Sequence, residues 1–183
     1  WQRVLHLPSR VQQVAWADAL SRGPRKADFD PRWKAALQAV GSEPVFRSEM
    51  LRYAYDTYGR KLIVALSWLR GLVPVRISNV RCLAALYDLC VQQGSLDKAH
   101  DAIRRRVLNA GPLDEFQLTR IAVEERGRKA DPRWRADCIS RRMCIIERDP
   151  VKVVDSGQIA ERDNPNLYLL RNASVSQIER YLT

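Results

Sequence analysis

The sequence predicts an all-α protein, an α-solenoid of about four helical hairpins with a short C-terminal extension. Two patterns lead to this fold class. Glycines recur at intervals of 36, 35 and 33 residues, and apolar residues between them repeat at helical spacing. These glycines are Gly23, Gly59, Gly94 and Gly127. A period of this length, built from paired helices, is typical of stacked hairpins in which no unit buries its own apolar face.

The first two predicted hairpins cover residues 9–43 and 44–77. Each has an apolar helix, a turn and a second apolar helix, and the turns are expected at Gly23 and Gly59. Glycine suits such a turn because it adopts backbone angles that other residues avoid. Pro44 marks the boundary between the two units, since proline cannot continue a helix from its interior.

The third predicted hairpin, residues 78–113, has the clearest pattern of the four. Gly94 is expected to form the turn between its helices, and Gly111 to end the second helix. The fourth hairpin, residues 114–150, repeats the plan with a turn at Gly127. Together the units predict a helical array over residues 1–150.

The period stops in the last segment, residues 151–183. Val151 to Val154 have alternating or extended character, residues 163–166 form a turn signal, and residues 167–182 are compatible with a final helix. Such a tail could cap the last hairpin by covering its apolar face. It could equally be an arm that docks on a partner, and the sequence leaves both interpretations open.

The composition is that of a folded, strongly basic protein. The chain has 183 residues, of which 46% are hydrophobic and 28% charged, and its formal net charge is +10. No apolar run reaches the roughly 18 to 20 residues that a membrane helix needs, so we expect no membrane partner. A basic surplus of this size favours a polyanionic partner such as RNA, although simple solubility is an alternative explanation.

The third unit carries a family resemblance. From Leu83 to Ala99 the sequence reads Leu-Ala-Ala-Leu-Tyr-Asp-Leu-Cys-Val-Gln-Gln-Gly-Ser-Leu-Asp-Lys-Ala. An apolar first helix followed by Gly-x-x-Asp-x-Ala resembles the pentatricopeptide repeat. The resemblance implies an α-solenoid that binds single-stranded RNA in an organelle, the mitochondrion or the plastid. We expect a mitochondrial location, with another organelle or the cytoplasm as the alternative. The resemblance also implies partners of one kind, namely a ribosomal RNA or organellar transcript and the other protein subunits of a ribonucleoprotein.

In that family, side chains on the first helix and at the end of each repeat face the bases. Carried onto this chain, those positions fall on Glu49, Asn79, Ala84, Asp114 and Gln117. Ala84 has no hydrogen-bonding group with which to read a base edge, and Glu49 would repel phosphate. The resemblance therefore implies contact mainly through phosphates, with little sequence readout.

Arginine dominates the basic residues, and its planar guanidinium suits bidentate phosphate contact. The densest basic runs lie in the third and fourth units. The candidate phosphate contacts are Arg104, Arg105, Arg106, Arg128, Lys129, Arg133, Arg135, Arg141 and Arg142. The alternative is that these residues form ordinary charged outer helix faces.

No motif in the sequence points to catalysis, a cofactor or a small-molecule substrate. Neither a phosphate-binding glycine loop nor a dinucleotide fingerprint is present. The four cysteines include no Cys-x-x-Cys pair, so free buried thiols are expected rather than a zinc site. We therefore predict no enzyme, no cofactor and no metal. The alternative to RNA binding is a protein–protein scaffold of the tetratricopeptide type, with a peptide held in its groove.

Overall fold

The computed structural model describes residues 9–20, 31–147 and 149–163. These residues are mostly helical, with one small two-stranded sheet. The chain divides into two compact units, residues 1–53 and 54–183, which we describe separately. The turn expected at Gly23 and the helix expected over 167–182 lie outside the described residues. No helix in the described ranges is long and apolar enough to cross a membrane.

The first unit contains α1 (Arg10–Leu20), α2 (Pro31–Ser42) and most of α3 (Pro44–Ala54). Trp16 of α1 and Trp33 of α2 meet edge to face, with 4.9 Å between their ring centroids. This arrangement is the one that aromatic quadrupoles favour.

The second unit begins with a π-helical turn and continues through five α-helices to a β-hairpin. In chain order these elements are the π-turn Tyr55–Gly59, α4 (Arg60–Leu72), α5 (Val80–Gln93), a 3₁₀ turn Asp97–Ala99, α6 (His100–Leu108), α7 (Glu115–Gly127), a 3₁₀ turn Pro132–Trp134, α8 (Arg135–Glu147), β1 (Val151–Asp155) and β2 (Gln158–Arg162). Leucine, isoleucine, valine, alanine and cysteine side chains from α4 to α8 form one hydrophobic core.

The predicted turn at Gly59 is wrong, and with it the hairpin predicted over 44–77. Gly59 has φ −61° and ψ −42°, and the backbone is helical from Tyr55 to Leu72. A Cβ at Gly59 would lie 2.9 Å from Cδ2 of Tyr55. Glycine is therefore needed here to make room for an aromatic ring, and its freedom to turn is not used.

The turn predicted at Gly94 is confirmed. Gly94 follows α5 with φ +85°, a backbone conformation that side chains with a Cβ rarely adopt. Its N–H donates to the carbonyl of Cys90 and closes the helix. Gly111, with φ +71°, lies three residues beyond the end of α6, which is capped by Asn109. A turn at Gly94 thus separates α5 from α6, as predicted, but α5 packs mainly on α7 and α8 and makes few contacts with α6.

Gly127 ends α7 and serves a different purpose from the one predicted. A Cβ there would lie only 2.4 Å from Cγ1 of Ile139 in α8. The glycine therefore lets α7 and α8 approach each other closely, while the turn itself follows in residues 128–134. The two helices still form a pair, so the fourth unit keeps its helical elements.

The helices of the second unit are tied together by buried hydrogen bonds. The carboxylate of Glu115 accepts from the backbone N–H groups of Ser78 and Asn79, at 2.7 and 2.8 Å. Arg126, on α7, is almost fully buried and donates to the carbonyls of Gln93 and Ser95. These bonds fix both ends of α5 against α7.

The extended character predicted for Val151 to Val154 is confirmed as β1, but the sequence analysis missed its partner strand. β1 pairs antiparallel with β2, with Val151 opposite Arg162. Ser156 and Gly157 form the connecting turn, with φ of 50° and 75°. Two positive φ values are what a tight hairpin turn requires. The hairpin packs on α8.

Candidate nucleic-acid and partner-binding surfaces

Five cations lie around the C-terminal ends of α6 and α7. We call this group the α6–α7 basic cluster, and it consists of Arg104, Arg105, Arg106, Arg128 and Lys129. The first three occupy the last turns of α6. Cations are stable at such positions because the carbonyls at a helix C-terminus carry partial negative charge.

Two carboxylates on α7 join the two halves of the cluster. Arg106 donates to Glu125 at 3.0 Å and also to Glu124. Arg128 bonds Glu125 and lies 3.9 Å from Glu124. Burial alone would lower the pKa of Arg106, but the hydrogen bonds and charges of these carboxylates outweigh it and raise that pKa. The shared carboxylates therefore hold the two guanidinium groups close together.

The cluster keeps a positive surplus after this pairing. Arg104 lies 3.5 Å from Asp101, so five cations face three carboxylates. Arg105 and Lys129 are exposed, and neither has an ion-pair partner within the described residues. These two side chains are available for an external anion.

Three other predicted phosphate contacts are engaged within the chain. Arg133 pairs with Asp131 at 2.9 Å, and Arg141 pairs with Asp88 at 2.6 Å. Arg135 donates to the carbonyl of Ala130 and to the hydroxyl of Ser156. All three stay partly or largely accessible, but their donors are already oriented by these partners.

The prediction that Arg142 contacts phosphate needs correction, because its side chain is 0% exposed. Its guanidinium donates to the carbonyl of Cys138 and to Oε1 of Gln92, both at 2.6 Å. Desolvation by burial lowers the pKa of Arg142. Arg141 and Arg142 are adjacent on α8, and neighbouring helical side chains diverge by about 100°. One therefore points to solvent and the other into the core.

The predicted base-facing positions are occupied in other ways. Asn79 caps α5 by accepting from the N–H of Arg81. Asp114 and Gln117 form a capping box at the start of α7, with reciprocal bonds of 2.7 and 2.9 Å.

The remaining two positions are also engaged by neighbouring residues. Glu49 pairs with Arg52 at 2.5 Å. Ala84 is half-buried against the hydrophobic core. All five base-facing candidates therefore take part in local bonds or packing. Base readout stays a prediction that no contact in the structure supports.

One surface was missed by the sequence analysis. No Asp or Glu lies between Asp56 and Asp88, although Arg60, Lys61, Arg70 and Arg76 fall in that stretch. These cations surround exposed aliphatic side chains on the outer side of α4. We call the surface the α4 face and define it as Arg60, Lys61, Ile63, Val64, Ser67, Arg70, Gly71 and Arg76. The absence of acidic residues could have been read from the sequence.

Two grooves border the α4 face. One, of about 300 Å³, lies between α4 and the segment that follows it, with Ile63, Arg70 and Arg76 in its wall. The other, of about 480 Å³, lies between the start of α4 and the turn at Gly94, with Val64 in its wall. Both combine apolar walls with cations, and the second groove is also lined by the carboxylate of Asp97.

The described residues contain no group of three His, Cys, Asp or Glu side chains that could hold a metal ion. All four cysteines are free and buried, as predicted. Burial raises the pKa of Cys82 and of Cys90 to about 11, so both thiols are neutral at pH 7. His100 stacks on Trp68, with 3.8 Å between the ring centroids, so its imidazole ring has a packing role.

Comparison of the chain with protein-family models, with curated proteins and with solved structures gave no match.

Proposed function

We propose that this chain is a non-catalytic RNA-binding subunit of a ribonucleoprotein that contacts RNA mainly through phosphates. The observation that carries the proposal is the α6–α7 basic cluster, with its surplus over the three carboxylates and its two unpaired cations, Arg105 and Lys129. The net charge of +10 agrees with a polyanionic partner. The pentatricopeptide resemblance further suggests an organellar complex, such as a mitochondrial ribosome or an RNA-processing assembly.

The cluster suits phosphate recognition because two of its members, Arg106 and Arg128, are positioned before RNA arrives. Glu124 and Glu125 orient Arg106 and Arg128, so less side-chain entropy is lost when a phosphate binds. Phosphate contacts fix register and orientation but carry no sequence information. The capped state of Asn79, Asp114 and Gln117 agrees with such sequence-independent binding.

The proposal extends to the way in which the helices stack. The pairs α5–α6 and α7–α8 are consecutive helix–turn–helix units with small residues at their turns or crossings. In this proposal they form a short solenoid, with the β-hairpin as its C-terminal cap. The cluster then lies where the second helix of one unit meets the first helix of the next.

Binding of the full chain to labelled structured RNA, measured across a salt series, tests the proposal. We expect affinity to fall steeply with salt and to differ little between unrelated RNAs of equal length. The double variant Arg105→Gln with Lys129→Gln removes both unpaired cations. Its log–log salt slope should be smaller by about 1 for each lost contact.

A second double variant provides the matched control. Lys34→Gln with Arg47→Gln removes the same charge from exposed positions in the first unit. We expect it to change the slope much less. Equal losses in the two double variants would show that only net charge matters, and affinity that stays flat with salt would contradict phosphate contact altogether.

The protein-scaffold alternative is favoured by one specific observation, the apolar and basic α4 face. A ribonucleoprotein subunit commonly contacts both RNA and protein, so the two activities are compatible on separate surfaces.

A further inference from the structure

We propose that the α4 face binds an acidic amphipathic helix of a partner protein. The proposal concerns a different surface from the α6–α7 basic cluster and does not depend on RNA binding there.

The exposed aliphatic residues of α4 are not part of the hydrophobic core. Leu62, Ala65 and Leu69 point inward, with 6%, 4% and 0% exposure. Ile63 and Val64 point outward, with 52% and 67% exposure. This adjacent pair of exposed β-branched side chains therefore lies outside the core that the described residues form.

Small residues continue the outer side of α4 beyond this apolar pair. Ser67 and Gly71 lie one and two turns further along the helix. A Cβ added at Gly71 would meet nothing within 4 Å, so the space above it is open. Another helix can approach the backbone closely at such positions. Helix α4 spans 13 residues, or about 20 Å, which gives room for several turns of a partner helix.

Cations lie at both ends of the apolar pair. Arg60 and Lys61 precede it, and Arg70 and Arg76 follow it. Arg60 is partly neutralised by Asp56 at 3.3 Å, whereas Arg70 and Arg76 have no ion-pair partner in the described part of the chain. No acidic residue occurs between Asp56 and Asp88, and the four cations of this face outnumber the two carboxylates at its edge, Asp56 and Asp97. A complementary partner must carry carboxylates on either side of an apolar stripe.

Charge alone would also suit RNA, but the apolar centre of the face favours protein. Single-stranded nucleic acids stack their bases on aromatic side chains. The aromatic residues next to the α4 face are already engaged: Trp68 stacks on His100, and Tyr58 packs edge to face against Tyr87 with Lys61 over its ring. Aliphatic side chains beside two mixed grooves suit apolar anchors at helical spacing in a partner helix.

A labelled synthetic peptide of about 18 residues, or five helical turns, is the probe. It carries leucines at helical i, i+3, i+4 and i+7 spacing, with glutamates flanking the apolar stripe. The matched peptide has lysine at every glutamate position. We expect the full chain to bind the acidic peptide saturably in fluorescence anisotropy, and the basic peptide to show no saturable binding.

Variants of the chain locate the binding. Val64→Glu places a like charge and a polar group at the centre of the face and should weaken the acidic peptide about tenfold or more. The matched control is Val154→Glu on β1, because Val154 is 66% exposed, and affinity should stay within about twofold. Ile63→Ser, which adds no charge, should also weaken binding. Circular dichroism of each variant checks that the helices are retained.

Failure of the acidic peptide to bind below about 1 mM, or equal losses in Val64→Glu and Val154→Glu, would overturn the proposal. So would a Val64→Glu variant that loses RNA but keeps the peptide, since the face would then be an RNA surface. Arg105→Gln with Lys129→Gln should leave peptide affinity unchanged. That result separates failure of this proposal from failure of RNA binding at the cluster.

Discussion

Replacing Gly127 by alanine should destabilise the second unit, because the contact between α7 and α8 leaves no room for a methyl group. The added Cβ would lie 2.4 Å from Cγ1 and 3.2 Å from Cδ1 of Ile139. Carbon atoms in good contact are about 3.5 to 4.0 Å apart. The helices or the isoleucine must therefore shift by roughly 1 Å.

The expected loss in the free energy of unfolding is about 2 kcal/mol. Overpacking of this kind costs about 1 to 3 kcal/mol. Alanine recovers a part of the roughly 1 kcal/mol by which it exceeds glycine as a helix former. For a protein of this size the melting temperature should fall by about 4 to 8 °C. Gly71→Ala is the matched control, since its Cβ meets nothing within 4 Å, and it should leave stability unchanged or slightly raised.

A double-mutant cycle with Ile139→Ala tests the assigned cause. Ile139→Ala alone should cost about 2 to 5 kcal/mol, because Ile139 is buried. In that background the clashing Cγ1 and Cδ1 are gone, while Cβ of residue 139 lies at an ordinary 3.6 Å. Gly127→Ala should then be neutral or stabilising. Urea denaturation of the four proteins measures the coupling. Additive effects, or a Gly127→Ala protein as stable as Gly71→Ala, would show that a clash with Ile139 is not the cause.

Three further outcomes follow from buried or paired groups. The native protein should react with none of its cysteines in an Ellman assay near pH 8, because Cys82 and Cys90 are buried with pKa values raised to about 11; rapid labelling without denaturant would contradict this. The side-chain hydrogen bond from Arg133 lowers the pKa of Asp131 from 3.8, its value in the unfolded chain, to about 2 in the folded protein. The ionised pair therefore stabilises the fold fully at pH values above the unfolded pKa, and this stabilisation is lost as the pH falls through the folded pKa. Asp131→Asn, which keeps an acceptor for the cap, should thus be less stable than wild type at neutral pH, and the difference should shrink as the pH approaches 2 and vanish below it, as followed by urea denaturation. Arg142→Met should lower the unfolding free energy by about 3 kcal/mol, since buried acceptors lose their donors; unchanged stability with weaker RNA binding would instead place Arg142 at the surface.

The sequence predicted local structure best where the backbone conformation alone explains the residue at that position. Gly94 was correctly interpreted because a positive φ directly after a helix favours glycine strongly. Gly59 and Gly127 look the same in the sequence, but both are needed for space beside Tyr55 and Ile139. Which use a glycine serves depends on what packs against it, and that information is not local.

The candidate surfaces likewise depend on information that is not local in the sequence. A run such as Arg104 to Arg106 shows that cations are present, but only the fold shows which ones are paired with carboxylates. Arg141 and Arg142 were treated alike in the sequence, although the packing of α8 buries only the second. The α4 face, in contrast, is visible in the sequence as a long stretch without acidic residues, a signal distinct from a run of consecutive cations.

Ultraviolet crosslinking of the full chain to structured RNA, followed by mass spectrometry of the crosslinked peptides, identifies the surface that contacts RNA. We expect crosslinks in peptides that contain residues 104–106 and 128–129, and none that exceed background in residues 60–76. Crosslinks concentrated in 60–76, with none at the α6–α7 basic cluster, would contradict the assignment of RNA to one surface and protein to the other.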